Sequence, residues 1–293
     1  MENADLLIRI NQHYVSFSKG QKLLANYIME NYDKAAFITA ARMGHTVGVS
    51  ESTVVRFAYA LGYDGYPELQ RSLQELIRNR LTAVQRIQLT SELEPNEVLT
   101  NVLKSDISNL RATIDMADSA TFNKVVDELF TAGKVYIVGM KSASPLAQFL
   151  GYYLGFVLDN VITVNPSFGD AYESMLRIGP GDLCLGISFP RYSTRTVETL
   201  AFAKSMGARV AAITDGIFSP IAELADYVLM ARSDMASFAD SLTAPLSLIN
   251  ALIVAASLRR KDDVHERLDK LESIWKRQKV YISARETPTG RGK

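Results

Sequence analysis

The chain has 293 residues, 47% hydrophobic and 22% charged, enough for about two domains that each bury a core, so disorder as the main state is excluded. Its 32 basic residues balance its 32 acidic ones. That neutrality leaves nucleic acid open as a partner, because a DNA-binding unit needs basic groups on one face rather than a basic total.

The first residues, MENADLLIRINQ, are amphipathic and partly acidic, without a basic apolar leader, so the expected location is the cytoplasm. Residues 1–80 read as successive helices. Ser18 followed by Gln21 predicts a capping box opening a helix to about Asn31, with Leu23, Leu24, Tyr27 and Ile28 on its apolar face.

The segment TAARMGHTVGVSESTVVRFAYALGYDGY (39–66) meets the requirements of a helix-turn-helix together. Such a motif needs a small residue where two helices cross, a turn residue that tolerates positive φ, and apolar residues that lock the second helix. Gly44 is the small residue, Gly48 the turn, and Met43, Val47, Val49, Val54 and Phe57 the lock. Ser50 is placed to cap the second helix, which is expected to run to about Leu61 and stop at Gly62. A second helix of this kind enters the major groove with its N-terminal residues toward the bases. Ser50, Ser52, Thr53 and Arg56 are therefore the candidate DNA-contacting residues on it, and Arg42 and His45 on the preceding helix are candidates for the phosphate backbone. Ser50 and Arg56 also have simpler roles open to them, as a cap and a solvated charge. Glu51 would repel phosphate and select against some sequences.

Residues 79–96 lose periodicity and end near Pro95. We therefore expect a DNA-binding domain over 1–80, a linker over 81–104, a second domain over 105–282 and a disordered polar tail over 283–293. Helices are expected at about 97–117 and 121–131, packing on the second domain or forming a dimer contact.

From Lys134 onward, β-branched runs alternate with amphipathic stretches: VYIVG (135–139), VITV (161–164), LCLGIS (183–188), RVAAIT (209–214) and DYVLMA (226–231). The expected fold is an all-α helix-turn-helix domain followed by an α/β domain with a parallel five-stranded sheet, a flavodoxin-type sandwich. The only cysteine, Cys184, lies in one of these apolar runs and is expected to be a buried, inert hydrophobe. The apolar run 242–258 holds Thr243, Pro245, Ser247, Asn250 and Ser257 and is short for a bilayer, so a buried core helix is expected, with no membrane partner.

In such sheets ligands bind beyond the carboxyl ends of the strands. Three of those ends carry hydroxyls at expected helix starts: Ser142 and Ser144 before Pro145, Ser188 and Ser193, and Ser219 before Pro220. Hydroxyls and free N–H groups at the positive end of a helix suit a phosphate or carboxylate, although each serine could be a simple cap. Lys141, Arg191 and Arg195 add cations to the same loops.

The string VSESTVVRFAYALGYDGYPELQRSL resembles the helix-turn-helix of the RpiR family, whose pattern V-S-x-S-T-V-x-R-F-x-x-x-L-G-[FY]-x-G-[FY]-x-E-[LF] it matches from Val49 to Leu69. Residues 105–280 resemble the sugar isomerase (SIS) domain that usually follows it. Gly139 and Ser188 keep the SIS phosphate-binding pattern. Lys141 replaces a frequent glycine, Ala143 stands where serine is common, Pro190 and Arg191 replace Ser-Gly, and Ser193 stands in for a threonine. The loop is similar to an SFPxYSxxT version, which adds Tyr192 and Thr196 to the ligand residues. The resemblance implies a regulator that binds a double-stranded operator as a homodimer or homotetramer. Its DNA affinity would be controlled by a phosphorylated sugar or sugar acid held by Gly139, Lys141, Ser142, Ser144, Ser188, Arg191, Tyr192, Ser193, Arg195 and Thr196.

The same fold serves aldose–ketose isomerases, which need a base and commonly a histidine to open the sugar ring. The histidines are His13, His45 and His265, the late loop offers Asp234 and Asp240, and Glu173 is the nearest base to a strand end. That set is a poor catalytic kit, so no catalytic residue is assigned; the isomerase is the alternative, and a sugar-phosphate-responsive inhibitor of a partner enzyme a weaker third. No spacing suits a metal, and no cofactor is expected.

Overall fold

In a computed structural model of the chain, residues 6–80, 87, 95–164, 170–235 and 239–281 are described. Residues 81–86 and 88–94 of the expected linker, and the expected tail 283–293, lie outside them. The chain divides into two units, the second beginning at Pro95.

The first unit is helical: α1 (Leu6–His13), α2 (Lys19–Glu30), α3 (Tyr32–Ala35), α4 (Ala40–Val47), α5 (Glu51–Ala60) and α6 (Tyr66–Arg80). Ser18 and Gln21 close the capping box: the Ser18 hydroxyl accepts from the Gln21 N–H at 3.4 Å, and the Gln21 side chain accepts from the Ser18 N–H at 2.9 Å. α2 buries Leu24, Ala25 and Ile28, but Leu23 is exposed. One residue turns a helix by about 100°, which carries Leu23 out of the buried stripe. Between α3 and α4, the Ile38 carbonyl accepts from Tyr66 Oη and Gln70 Nε2, and the Ala36 carbonyl from Gln74 Nε2 at 3.0 Å. Side chains of α6 thus satisfy loop carbonyls that no helix ladder uses. Burial, with a smaller contribution from Tyr27, pushes the Tyr66 phenol up to about 12, so it remains a donor.

The second unit holds β1 (Val135–Gly139), β2 (Val161–Val164), β3 (Leu183–Ile187), β4 (Arg209–Thr214) and β5 (Tyr227–Met230), all parallel, in the order β2-β1-β3-β4-β5. Its helices are α7 (Val98–Met116), α8 (Ser119–Thr131), α9 (Ser144–Leu154), α10 (Ala171–Ser174), α11 (Thr194–Ser205), α12 (Thr243–Arg259) and α13 (Lys261–Gln278). Alternate strand residues serve opposite faces. Val135, Ile137, Leu183 and Leu185 join a core with α8, α9 and α12, while Tyr136, Val138 and Cys184 join one with α10 and α11. Both faces are covered, which is why the strands read as unbroken apolar runs. Cys184 is fully buried and its thiol is pushed up to about 12 by burial, which makes it inert.

Two strands are shorter than expected: Ser188, Asp226 and Ala231 fall outside them. Ser219 precedes no helix. Its hydroxyl accepts from the Ala222 N–H at 3.2 Å and closes a turn, so β4 reaches β5 through turns. Among the described residues no helix is long and apolar enough to cross a membrane.

One face of α7 clamps the loop after β5. Asn109, 2% exposed, donates Nδ2 to the Asp234 carbonyl at 3.0 Å and accepts from the Asp234 N–H at 3.1 Å. Thr113 Oγ1 accepts from the Arg232 N–H at 2.9 Å, and Ser241 donates to Asp106 at 2.5 Å. Replacing Asn109 by Ala removes two bonds and strands backbone groups, an expected loss of about 2–3 kcal/mol in thermal unfolding. An unchanged midpoint would show that the loop does not depend on the clamp.

Candidate functional site

α4 ends at Gly48, whose φ of 79° is left-handed, and the Gly48 and Val49 N–H groups both donate to the Gly44 carbonyl, at 2.9 and 2.8 Å. A Cβ on Gly44 would stand 2.7 Å from the Val49 carbonyl oxygen, so the turn lies directly against α4. Met43, Val54 and Phe57 are fully buried, and Val47 and Val49 half-buried. The Ser50 hydroxyl accepts from the Thr53 N–H at 3.3 Å and bonds the hydroxyls of Ser52 at 2.9 Å and Thr53 at 2.8 Å. Arg56 Nε donates to the Ser52 carbonyl at 3.3 Å, which anchors the base of a guanidinium that stays exposed. Arg42, His45, Ser50 and Ser52 are exposed and Thr53 half-buried. The start of α5 therefore presents hydroxyls and one cation, with the exposed Glu51 carboxylate among them.

In the sheet, β1 leads outward to β2 on one side, whereas β3 leads to β4 and β5 on the other. The crevice of such a sheet opens at that reversal, beyond the carboxyl ends of β1 and β3. Gly139 lies opposite Ile187, and Ile187 opposite Ile213, so the loops that start at Met140, Ser188 and Asp215 emerge side by side.

After β1, Lys141–Ala143 form a 3-10 turn that runs straight into α9. Ser144 is consequently not the cap: Ala143 occupies that position, and the Ser144 hydroxyl accepts from Gln148 Nε2 at 3.1 Å inside the helix. A Cβ on Gly139 would meet the Ala143 carbonyl oxygen at 2.7 Å and Ala147 Cβ at 2.9 Å, so only glycine lets this loop fold back on the strand. Lys141, at φ 55°, and Ser142 are exposed.

After β3, Ser188 is buried; its N–H donates to the Ile213 carbonyl at 3.2 Å and its hydroxyl accepts from the Ser193 N–H at 3.4 Å. Ser193 stands at the cap position of α11, yet its hydroxyl makes no capping bond. Thr196, in the first turn of α11, is fully buried, and among the described residues its hydroxyl has no hydrogen-bond partner. Arg191 is exposed at φ 64°. Arg195 is exposed and 3.7 Å from Glu198. Tyr192 donates its hydroxyl to Asp215 Oδ1 at 2.7 Å, and Thr214 donates to the same oxygen at 3.2 Å. Asp215 was not among the sequence candidates, although its place just beyond β4 is a signal that would have found it.

The residues weighed for catalysis do not converge. Glu173 is exposed on α10, and the His265 side chain is 78% exposed and 3.4 Å from Asp269 on α13. The Asp234 backbone belongs to the Asn109 clamp. Among the described residues no group of His, Cys, Asp and Glu is arranged to hold a metal ion.

Comparison with known proteins assigns both units. Residues 4–80 match the helix-turn-helix domain of the rpiR family, and residues 128–255 match the SIS domain. An HTH-type transcriptional regulator of Haemophilus influenzae is 27% identical over 236 residues, 78% of this chain and 80% of that one. The sugar isomerase domain of an RpiR transcription factor from Sphaerobacter thermophilus is 26% identical, with a TM-score of 0.58, over 60% of this chain and 99% of that one. The NanR protein of Vibrio vulnificus, solved in complex with ManNAc-6P, shares the fold at 23% identity and a TM-score of 0.57, over 92% of this chain and 98% of that one. With its rpiR-type helix-turn-helix and its SIS domain in that order, the chain belongs to the RpiR family of HTH-type transcriptional regulators.

Proposed function

We propose that this regulator binds a palindromic operator through α4 and α5 in the cytoplasm, and that a phosphorylated sugar or sugar acid at the carboxyl ends of β1 and β3 changes its grip on DNA. The observation that carries the effector half is Thr196: a fully buried hydroxyl without a partner, in the first turn of a helix that opens at the crevice. An unmet buried hydroxyl is unfavourable by about 1–3 kcal/mol, and a phosphate oxygen relieves it. The free N–H groups of that turn, its positive helix end and the Ser193 hydroxyl complete a cradle for a phosphoryl group. Lys141, Ser142, Ser144, Arg191, Tyr192 and Arg195 are the further contacts we assign to the sugar. NanR, of the same fold, carries a phosphosugar, which supports that ligand class.

On the DNA side, Ser50, Ser52, Thr53 and Arg56 read the major groove while Arg42 and His45 hold the backbone. A second copy supplies the other half-site. The exposed Leu99, Leu103, Ile107 and Ile114 of α7 are the apolar surface we assign to that homodimer or homotetramer. The effector acts by binding one arrangement of the copies better than another. No observation favours isomerase turnover, since Glu173 and His265 are exposed and on separate helices.

The test is recovery of genomic DNA bound to the full chain, with and without phosphosugars. The expected product is a palindrome with half-sites about one or two turns apart, roughly 34 Å per turn. Arg56→Ala should weaken operator binding by about tenfold to a hundredfold and leave phosphosugar binding intact. No enriched palindrome, or full operator affinity in the Arg56 variant, would overturn the DNA half.

A further inference from the structure

We infer that Lys141 and Arg191 together take a second acidic group of the effector, so that its class is a phosphorylated sugar acid rather than a neutral phosphosugar; this rests on the ligand site proposed above.

The two loops that flank the crevice each hold a non-glycine residue in left-handed conformation: Lys141 at φ 55° after β1 and Arg191 at φ 64° after β3. Among the described residues the only other is Lys279, at the C-cap of α13, where such a conformation is ordinary. An L-residue held there is disfavoured by about 1–2 kcal/mol, and a glycine would remove most of that strain. Both loops therefore carry a long cation where the backbone itself would prefer glycine. Strain kept at two neighbouring loops of one crevice points to the side chains as its reason.

The first turn of α11, with Ser193 and the unpartnered Thr196 hydroxyl, already supplies donors for one phosphoryl group without a formal cation. Among the described residues neither Lys141 nor Arg191 forms an ion pair, whereas Arg195 in the same loop is matched by Glu198. The register sets the two loops on adjacent strands, Gly139 opposite Ile187. Two uncompensated cations on neighbouring loops suit a carboxylate, which the Arg191 fork can take through two oxygens. The nearby carboxylates belong to other strand ends. Asp215, beyond β4, is tied to the hydroxyls of Tyr192 and Thr214; Asp170 caps the Tyr172 N–H, and Glu173 is exposed, both in the connection after β2.

The experiment is titration calorimetry of the full chain with a matched pair, 6-phosphogluconate and glucitol 6-phosphate, both open-chain, which share six carbons and the phosphate and differ only at C1. Inorganic phosphate is the third probe. The expected result is a preference for 6-phosphogluconate of about tenfold to a hundredfold. Lys141→Gly and Arg191→Gly should each lose at least about ten times more affinity for the acid than for the alditol. Their unfolding midpoints should hold or rise by about 1–3 °C, because strain is released against the extra freedom of an unfolded glycine. Lys141→Asn, neutral and tolerant of the same backbone, should behave like the glycine variant, and Lys141→Arg should keep the preference. Equal wild-type affinity for the two sugars would overturn the inference and leave the ligand site standing. Equal losses for both sugars in the variants would overturn it too, by assigning the cations to the phosphate. Failure of all three probes to bind would overturn the ligand site along with it.

Discussion

Replacing Thr196 by valine should raise the unfolding midpoint of the ligand-free protein and abolish most of its stabilisation by phosphosugars. The two effects have opposite signs because the hydroxyl is buried without a partner until a ligand arrives. Valine keeps the shape and removes the unmet polar group, which relieves about 1–3 kcal/mol. For a unit of this size that corresponds to a rise of about 2–12 °C, read by calorimetry without ligand. With saturating phosphosugar the variant's advantage should shrink or reverse, since a lost hydrogen bond to a charged oxygen weakens binding by about tenfold to a hundredfold. A lower midpoint in the ligand-free variant would mean that the hydroxyl already serves the fold. A ligand-induced shift equal to that of the wild type would remove Thr196 from the site.

The second large effect is expected at Gly44. Its would-be Cβ meets backbone rather than side chains: the Val49 carbonyl oxygen at 2.7 Å, with Ser50 C and Glu51 N each at 3.3 Å. A flexible side chain can swing aside, but a turn fixed by Gly48 at φ 79° cannot. Valine adds two methyl groups to that contact, and overpacking of this kind reaches about 3 kcal/mol, more than an isolated helical unit of this size readily tolerates. Gly44→Val should therefore lose operator binding in an electrophoretic shift assay while the second unit keeps its phosphosugar response, because each unit has its own core. Operator binding at wild-type strength would mean that α4 and α5 are not the DNA reader. Gly48 differs in kind: among the described residues nothing lies within 4 Å of its would-be Cβ, and only its backbone angle demands glycine.

The helix-turn-helix was legible because its determinants are local. The Ser18 and Ser50 caps, the left-handed Gly48 and the close approach at Gly44 each join residues a few positions apart, so spacing alone identifies them. The five strands were legible for a related reason, since continuous apolar runs are what a sheet covered on both faces requires. The same local logic failed at Ser144, where a 3-10 turn took over the first position of the helix, and at Ser219, where a turn replaced a helix. Leu23 failed because an apolar residue at the edge of a stripe is not committed to the core until its neighbours are placed.

Local hydrogen-bond and steric demands, then, are written in the spacing of the chain, and they determined the helix-turn-helix, its caps and the strands by themselves. The crevice is different. The order β2-β1-β3-β4-β5 decides which strand ends are neighbours, and only that order brings the Lys141 loop beside the Arg191 loop and Tyr192 to Asp215. The Asn109 clamp on Asp234 joins residues 125 positions apart, a separation at which no periodicity carries information. Whether a hydroxyl caps a helix, as at Ser50, or is buried without a partner, as at Thr196, depends on what tertiary packing puts around it, and that was decided by the folded structure alone.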